Sequence, residues 1–286
     1  MSSLIDILSF PGAVTFVTAL ILSLMVGSFL NVVIYRLPVM MELEWKAQTA
    51  EGTGSDSEPF NLATPASRCN HCGHLIRWYE NIPILSYIML KGRCSGCGNS
   101  ISLRYPAIEL LTGLVGGFIG WHFGLGWQGA GLLVLTWTFI ALTFIDIDHQ
   151  LLPDRLTLPL LWLGLLLNTQ DTFTSLEHAV FGAAAGYLVL WSVYWAFKLL
   201  TGKEGMGYGD FKLLAAIGAW GGVEVLPLTI LLSSVVGVVL ALTLMAAKRH
   251  QASNPLPFGP YLAIAGWIAL IWGEPINNWY LGMLLI

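Results

Sequence analysis

Eight apolar segments follow one another along this chain, and they limit it to folds that sit in a membrane. Crossing a bilayer as a helix takes roughly 20 apolar residues, or fewer when neighbouring helices shield the segment. Of the 286 residues, 56% are hydrophobic and only 10% are charged, whereas an average soluble domain is about 25% charged. We therefore expect an all-α polytopic membrane protein rather than a water-soluble one. The segments cover approximately residues 13–36, 107–123, 129–146, 156–170, 176–198, 210–222, 226–247 and 258–273.

The basic residues provide an independent test of this arrangement, because Lys and Arg are retained in short cytoplasmic segments. Seven of the 13 lie in or at the edges of the segment between the first two spans. If the first span begins outside, all 13 fall on or near the cytoplasmic side. They are Arg36, Lys46, Arg68, Arg77, Lys91, Arg93, Arg104, Arg155, Lys198, Lys203, Lys212, Lys248 and Arg249. The pattern predicts about eight transmembrane helices, a periplasmic N-terminus and a lipid bilayer as the surrounding medium.

Three regions follow from this map. Residues 1–36 form the first transmembrane helix, residues 37–106 form the one sizeable extramembrane domain, and residues 107–286 form a membrane-embedded domain of about seven helices. Within the extramembrane domain, residues 41–60 are polar and rich in Gly, Ser, Thr and Glu. That composition is typical of a mobile linker.

All four cysteines lie in the extramembrane domain, as two Cys-x-x-Cys pairs. They are Cys69, Cys72, Cys94 and Cys97. Two such pairs at this spacing are typical of a zinc ribbon, in which four thiolates hold one tetrahedral ion. Such a site has no open position for a substrate, so we expect a structural zinc; four unrelated thiols or a redox pair are the alternatives. His71 and His74 could act as ligands, but beside four cysteines we expect them not to.

Acidic residues at the end of the third apolar segment indicate a functional site. A carboxylate within a membrane is costly, and such groups usually face the bundle interior and serve a function. Asp146 lies where the apolar run stops, and we predict that it is functional. Asp148 is expected to be a supporting group at the interface, and Asp154, after Pro153, is expected to cap the next helix.

A second candidate acidic residue, Asp210, lies at the start of the sixth apolar segment. Gly205, Gly207 and Gly209 alternate before Asp210, and Lys212 follows. Glycine permits backbone conformations that other residues avoid, so the chain can pack tightly or bind an extended peptide there. Because Asp146 ends an inward-running helix and Asp210 begins an outward-running one, both carboxylates are predicted at one level on the cytoplasmic side.

Two adjacent carboxylates provide what peptide hydrolysis requires: one takes a proton from water while the other, protonated, polarises the carbonyl. No HExxH metalloprotease motif occurs among the six histidines. Two other readings stay open on the residues alone. Buried aspartates near glycine-rich helices also mark proton- or ion-coupled transporters, and the cysteine domain could dock a partner while the helices anchor it.

Five motifs together resemble the bacterial type IV prepilin peptidases, aspartic proteases of the GxGD class. The motifs lie, in the order found in that family, at residues 27–38, 69–97, 104–109, 145–154 and 207–210. They cover nearly the whole chain, and five in the right order are far more specific than any one. A departure occurs after the first cysteine, where Asn70 replaces the family's usual proline.

The resemblance implies an inner-membrane enzyme with two activities. Family members cleave the leader of type IV prepilins and type II secretion pseudopilins after glycine, at the cytoplasmic face. They then N-methylate the new N-terminal residue with S-adenosylmethionine. Carried over by motif, the catalytic aspartates are Asp146 and Asp210, with Asp148, Gly207, Gly209 and Lys212 as supporting residues. The partners implied are membrane-bound prepilins and pseudopilins, and no nucleic acid.

The site for the methyl donor follows from the resemblance alone. No dinucleotide-type glycine fingerprint follows a strand in this sequence. We expect the donor to bind in the extramembrane domain between Asn81 and Arg104, with Lys91 and Gly92 as candidate residues.

Overall fold

Eight long helices account for most of the computed structural model, which describes residues 9–49, 60–246 and 257–284. Each predicted apolar segment corresponds to one of them, so the all-helical fold is confirmed, and the described residues contain no β-strand. The helices are α1 (Ala13–Thr49), α2 (Arg104–Phe123), α3 (Trp127–His149), α4 (Asp154–Asn168), α5 (Leu176–Thr201), α6 (Tyr208–Gly221), α7 (Val225–Ala246) and α8 (Gly259–Leu284).

Four of these helices, in the described part of the chain, are long and apolar enough to cross a membrane. The qualifying segments lie in α1, α3, α5 and α7. Helices α4 and α6 have 15 and 14 residues, fewer than the roughly 20 that an unshielded span needs. A multi-pass membrane protein is therefore supported, whereas the count of eight spans stays a prediction.

The first helix extends farther than the sequence predicted. Residues 41–49 were assigned to a mobile linker, but α1 continues through them to Thr49. Met, Leu, Glu, Lys, Ala and Gln in this stretch are good helix formers, and Lys46 forms an ion pair with Glu42 one turn earlier. Residues 50–59 of the predicted linker lie outside the described residues, as do Lys248 and Arg249.

The chain divides into two compact units, Met1–Ala141 and Leu142–Ile286. In the first unit, α1 packs closely against a glycine-rich face of α2. A side chain at Gly116 would collide with Ser23, and one at Gly120 would lie 2.4 Å from the carbonyl oxygen of Thr15. Small residues that bring two backbones this close are characteristic of helix pairs in membranes.

In the second unit, α6 is the central helix and its side chains are enclosed. Every residue from Asp210 to Trp220 except Lys212 is buried. Helix α5 packs backbone to backbone on α6, since a Cβ at Gly218 would lie 2.2 Å from the carbonyl oxygen of Gly182. At the other end, the Asn168 side chain of α4 donates hydrogen bonds to the carbonyls of Ala219 and Trp220. These contacts fix the position of α6, and with it that of Asp210.

Between α1 and α2, the described residues of the first unit include one 3-10 turn, Trp78–Asn81, and a short helix, Leu85–Met89. A buried carboxylate orders the chain between them, because Glu109 of α2 accepts a 2.8 Å hydrogen bond from the N–H of Ile84. Ile84 has φ +61°, which is rare for a β-branched residue. Glu109 therefore stabilises a backbone conformation that Ile84 would otherwise avoid.

Candidate active site and metal site

Asp146 lies in the last turn of α3 and is only 5% exposed. Its Oδ2 atom accepts a 2.9 Å hydrogen bond from the backbone N–H of Gly259, the first residue of α8. The first N–H groups of a helix have no partner within the helix and favour negative charge. The N-terminus of α8 therefore holds the Asp146 carboxylate in place and offsets part of the cost of burying it.

Asp210 is placed by a corresponding device at the start of α6. It lies in the first helical turn, is 6% exposed, and its Oδ2 accepts a 3.2 Å hydrogen bond from the N–H of Gly207, the N-cap residue. An acidic side chain that reaches back to the N-cap amide is half of a capping box. Each candidate aspartate thus accepts an amide hydrogen bond at a helix N-terminus, and in each case a glycine is the donor.

The second unit brings the two carboxylates into the same neighbourhood. Asp146 lies close enough to Asp210 for their charges to interact directly. Leu152, which is buried, contacts the backbone on both sides: a Cβ at Gly209 would lie 2.7 Å from Leu152 Cβ, and one at Gly259 would lie 3.0 Å from Leu152 Cδ2. The loop after α3 therefore fills the space between the starts of α6 and α8, beside the aspartates.

Two of the predicted supporting residues occupy other surroundings. Asp148 is exposed, two residues beyond Asp146. Lys212 forms an ion pair with Asp154, and both distances from Lys212 Nζ to the carboxylate oxygens are 2.7 Å. The prediction that Asp154 caps α4 is wrong, because Pro153 is the N-cap and Asp154 is the first helical residue. Its carboxylate instead ties α4 to α6.

Sequence reasoning did not identify Gly259 and Leu152. The local signal for Gly259 is its place between Phe258 and Pro260 at the start of the eighth apolar segment. Its amide is free to donate because it precedes the first complete turn of a helix. Nothing local connects it to Asp146, which lies 113 positions away. Leu152 lies within the motif at residues 145–154, but nothing in the local sequence indicates that it contacts both glycines.

The four cysteines come together as the spacing predicted. Their sulfur atoms all lie within 4.8 Å of one another, and Cys72 Sγ and Cys94 Sγ are 4.0 Å apart. The two Cys-x-x-Cys turns have the same backbone pattern. Gly73 N–H donates to the Cys69 carbonyl and Gly98 N–H to the Cys94 carbonyl, and both glycines have φ near +70°. The cluster can hold a metal ion.

The chemistry of the thiols suits a cation. The pKa of Cys69 falls to about 6 because the N–H groups of Cys72 and His71 donate to its sulfur. The pKa of Cys72 rises to about 11: a hydrogen bond from the His74 N–H lowers it, but desolvation and the neighbouring thiols outweigh that effect. Ionisation of one thiol is thus favourable, whereas ionisation of a second thiol beside it is unfavourable. A divalent cation would remove this opposition, since a coordinating thiol is deprotonated.

A polar network beside the cluster connects its two turns. Glu80 Oε1 accepts a hydrogen bond from Ser95 Oγ, and Oε2 accepts one from the N–H of Arg77 at 2.8 Å. His74 Nε2 lies 3.3 Å from the same carboxylate and 3.0 Å from Ser95 Oγ, and the cysteine cluster does not include it. These contacts, the Arg77 amide first, lower the pKa of Glu80 to about 2.

The candidate residues for the methyl donor lie in a tight turn near the cysteines. Lys91 is exposed and Gly92 is buried, and both have positive φ angles, 51° and 66°. A Cβ at Gly92 would lie 2.7 Å from the Tyr87 hydroxyl, and the Gly92 carbonyl accepts from Ile101 N–H. These contacts account for the glycine through packing within the chain, and they leave Lys91 as the side chain of the pair that is accessible.

Comparison with known proteins matches two families along the chain. Residues 21–123 match the bacterial peptidase A24 N-terminal domain, and residues 133–242 match the type IV leader peptidase family. Two relatives called prepilin leader peptidase/N-methyltransferase are similar over nearly their whole length. The one from Stutzerimonas stutzeri is 60% identical over 267 residues, 92% of each chain. The one from Pseudomonas aeruginosa is 55% identical over 282 residues, 97% of each chain. No solved structure matches.

These relatives help to choose between the functions that the sequence left open, a peptidase and a transporter. Both are called enzymes of peptide cleavage and N-methylation, and a third, from Aeromonas hydrophila, has the same name at 59% identity over 91% of each chain. Similarity of this extent does not favour a transporter.

Proposed function

The chain belongs to the type IV leader peptidase family, and from that premise we propose that it removes the leader peptide of prepilins and methylates the N-terminus that cleavage exposes. The substrates are type IV prepilins and type II pseudopilins held in the bacterial inner membrane. Asp146 and Asp210 are the catalytic pair. The observation that carries this assignment is that two buried carboxylates from distant parts of the chain are close enough for their charges to interact, and each accepts a hydrogen bond from a glycine amide.

The arrangement supports hydrolysis through a water molecule held between the carboxylates. One carboxylate, ionised, takes a proton from the water as the oxygen attacks the scissile carbonyl carbon. The other, protonated, donates a hydrogen bond to the carbonyl oxygen and then its proton. When the tetrahedral intermediate breaks down, the C–N bond is cleaved, the first carboxyl group passes its proton to the leaving amine, and the second carboxylate recovers a proton from a hydroxyl of the intermediate. Like charges at short range cannot both ionise easily, so a pair shares one proton. The amides of Gly207 and Gly259 keep both carboxyl groups oriented, which is a large part of what such a site must provide.

The cysteine cluster is a structural zinc site. Four thiolates at about 2.3 Å from a tetrahedral ion lie about 3.8 Å from one another, and the observed separation of Cys72 and Cys94, 4.0 Å, is close to that value. When bound, zinc would supply a fold-stabilising crosslink and no open coordination position. The four cysteines would hold it, and Glu80 would keep the two turns together.

Methyl transfer uses S-adenosylmethionine, which supplies an electrophilic methyl group. We place its site in the extramembrane segment between Asn81 and Arg104, with Lys91 as the exposed side chain and Gly92 as the residue that shapes the turn. Close packing of Tyr87 on Gly92 supports a fixed turn at this point.

The membrane arrangement that we propose has eight spans. The residues before α1 face the periplasm, and the zinc-binding domain, residues 37–106, faces the cytoplasm. The peptidase domain, residues 107–286, contributes the aspartates at its cytoplasmic side. Four helices that meet the length and hydropathy requirement support this arrangement. Enclosure of the shorter α6 by its neighbours also supports it, because a shielded helix need not match the full bilayer thickness.

One experiment tests the two activities together. The purified protein is incubated with a full-length prepilin and isotopically labelled S-adenosylmethionine, and both products are measured by mass spectrometry. We expect release of the leader and transfer of the label to the new N-terminal residue. An intact prepilin after prolonged incubation with folded protein would contradict the proposed peptidase activity.

A further inference from the structure

An apolar groove in the second unit begins beside the catalytic pair. It has a volume of about 400 Å³ and lies between α5, α7 and α8. Met206 and Phe258 form part of its wall. These two residues immediately precede Gly207 and Gly259, the glycines whose amides bind Asp210 and Asp146. One end of the groove is therefore formed by the residues directly before the two glycines that bind the candidate catalytic aspartates.

The walls of the groove are those of a membrane-facing surface. Helices α5 and α7 are both long and apolar enough to cross a bilayer. Along α7 the lining runs from Ile230 to Ala241, a length of roughly 16 Å at 1.5 Å per residue. Val193 of α5 and Val238 of α7 are 51% and 57% exposed, so the groove opens outward from the protein between these helices.

The shape of the α7 wall suits a helix better than a flexible chain. Ser233, Gly237 and Ala241 line the groove at every fourth position, and small residues at this spacing let a second helix approach closely in a membrane. A Cβ at Gly237 would lie in ordinary contact with the Tyr261 ring, 3.5 Å away, so a glycine there leaves the wall of the groove low without creating a void. Apolar grooves of this kind bind helices through side chains spaced three or four residues apart.

We propose that this groove is the docking site for the apolar transmembrane helix of the substrate. The helix lies between α5 and α7, and the peptide bond at its cytoplasmic end reaches Asp146 and Asp210. This inference rests on the proposed function, because it takes the substrate to be a membrane-held prepilin. It adds the surface that recognises the part of the substrate that is not cleaved off.

The test fills the groove without touching the aspartates. Val238→Trp places a large side chain in it. The control is Val239→Trp, which changes the next residue of the same helix, 55% exposed and outside the lining. Both are assayed on full-length prepilin in liposomes and in detergent. We expect kcat/KM of the Val238 variant to fall at least about tenfold, mainly through KM, because a buried anchor contact of this kind is worth one decade or more in affinity. The control stays within about twofold of wild type.

A crosslinking experiment reads out docking independently of catalysis. Prepilin carrying a photoreactive benzoylphenylalanine in its apolar helix is irradiated with the Asp210→Asn variant in liposomes. Crosslinks to peptides of α5 or α7, lost in the variant that also carries Val238→Trp, support the proposal. Crosslinks only to lipid, or only to helices of the first unit, overturn it, as does a Val238 variant with wild-type kcat/KM. A wild-type protein that cleaves no prepilin would instead contradict the proposed function, and the crosslinking result would still stand.

Discussion

Asp146 Oδ2 and the backbone N–H of Gly259 form a 2.9 Å hydrogen bond between residues 113 positions apart. The bond joins the end of α3 to the start of α8, so the position of one of the two proposed catalytic carboxylates depends on a helix from the far end of the chain. A glycine is required there for space, because a Cβ at Gly259 would lie 2.7 Å from Asp146 Oδ2 and 3.0 Å from Leu152 Cδ2.

Gly259→Ala is therefore expected to displace the Asp146 carboxylate. Cleavage should lose at least about tenfold in kcat with little change in KM, because misplacement of a catalytic group by about 1 Å can cost a hundredfold. Gly273→Ala is the matched control, since it lies in the same helix, outside the groove lining, and a Cβ there would have no neighbour closer than 4.0 Å. Steady-state cleavage of prepilin by both variants checks the prediction. Equal kcat values for the two would show that the Gly259 contact does not position Asp146.

Asp146→Asn and Asp210→Asn should each abolish leader cleavage. Removal of either acid eliminates proton transfer to or from the reacting groups, which is worth about a hundredfold to ten-thousandfold. Methylation of a pilin supplied with its leader already removed should remain, because it does not use the pair. The control is Asp148→Asn, which changes an exposed neighbour of Asp146 and should retain most of the cleavage activity. A cleavage rate near wild type in either of the first two variants would exclude that residue from the mechanism.

Loss of one cysteine should release the metal. In Cys72→Ser or Cys94→Ser, three thiolates remain, and we expect bound zinc to fall from about one per chain to well below half under mild chelation. His71→Ala, which removes an exposed side chain outside the cluster, should keep its zinc. Metal analysis of the purified variants measures the difference. A wild-type protein that contains no zinc after purification without chelators would refute the assignment.

The Glu80 carboxylate gives the metal-binding segment a defined pH dependence. Its pKa in the folded protein is about 2, against an ordinary value of 4.5, so it stabilises the fold fully above pH 4.5. That contribution declines as the pH falls from 4.5 towards 2. Glu80→Gln should accordingly increase hydrogen exchange at the Arg77 amide at pH 6. The difference from wild type should shrink between pH 4.5 and 2. Comparison at each pH separates this effect from loss of metal, which acid causes in both proteins.

Lys91→Ala should affect methylation more than cleavage. If the exposed amine contributes to the donor site, the KM for S-adenosylmethionine should rise several-fold, while leader cleavage and zinc content stay unchanged. Lys203→Ala removes a different exposed lysine and serves as the control. Methyl incorporation into a cleaved pilin, measured over a range of donor concentrations, provides the comparison. An unchanged KM would remove Lys91 from the proposed site.

Local patterns in the sequence were sufficient to predict the helices and the metal cluster. Apolar runs fix where helices form, and the Cys-x-x-Cys spacing determines which backbone turns can bring four sulfurs together. The end of α1 was misplaced because polarity was read as disorder, although residues such as Glu42 and Lys46 favour a helix and pair with each other.

The remaining parts of the site depend on contacts that no local pattern records. Motifs placed Asp146 and Asp210 at helix ends, and the structure brings them together. The partner of Lys212 could not be foreseen, because Asp154 reaches it only once α4 packs on α6. The same holds for Leu152, whose role arises from the approach of two glycines that lie 50 positions apart in the sequence.

The glycine contact between α5 and α6 limits which amino-acid substitutions this protein can tolerate. Because Gly182 and Gly218 leave no gap between the two backbones, α6 is held against sliding or rolling, and the depth of Asp210 is determined about two helical turns away from it. Harmful substitutions should therefore also be found far from the two aspartates, among small apolar residues that resemble ordinary lipid-facing positions. Similar polarity of the original and the replacing side chain will therefore be a poor guide to which substitutions the protein tolerates.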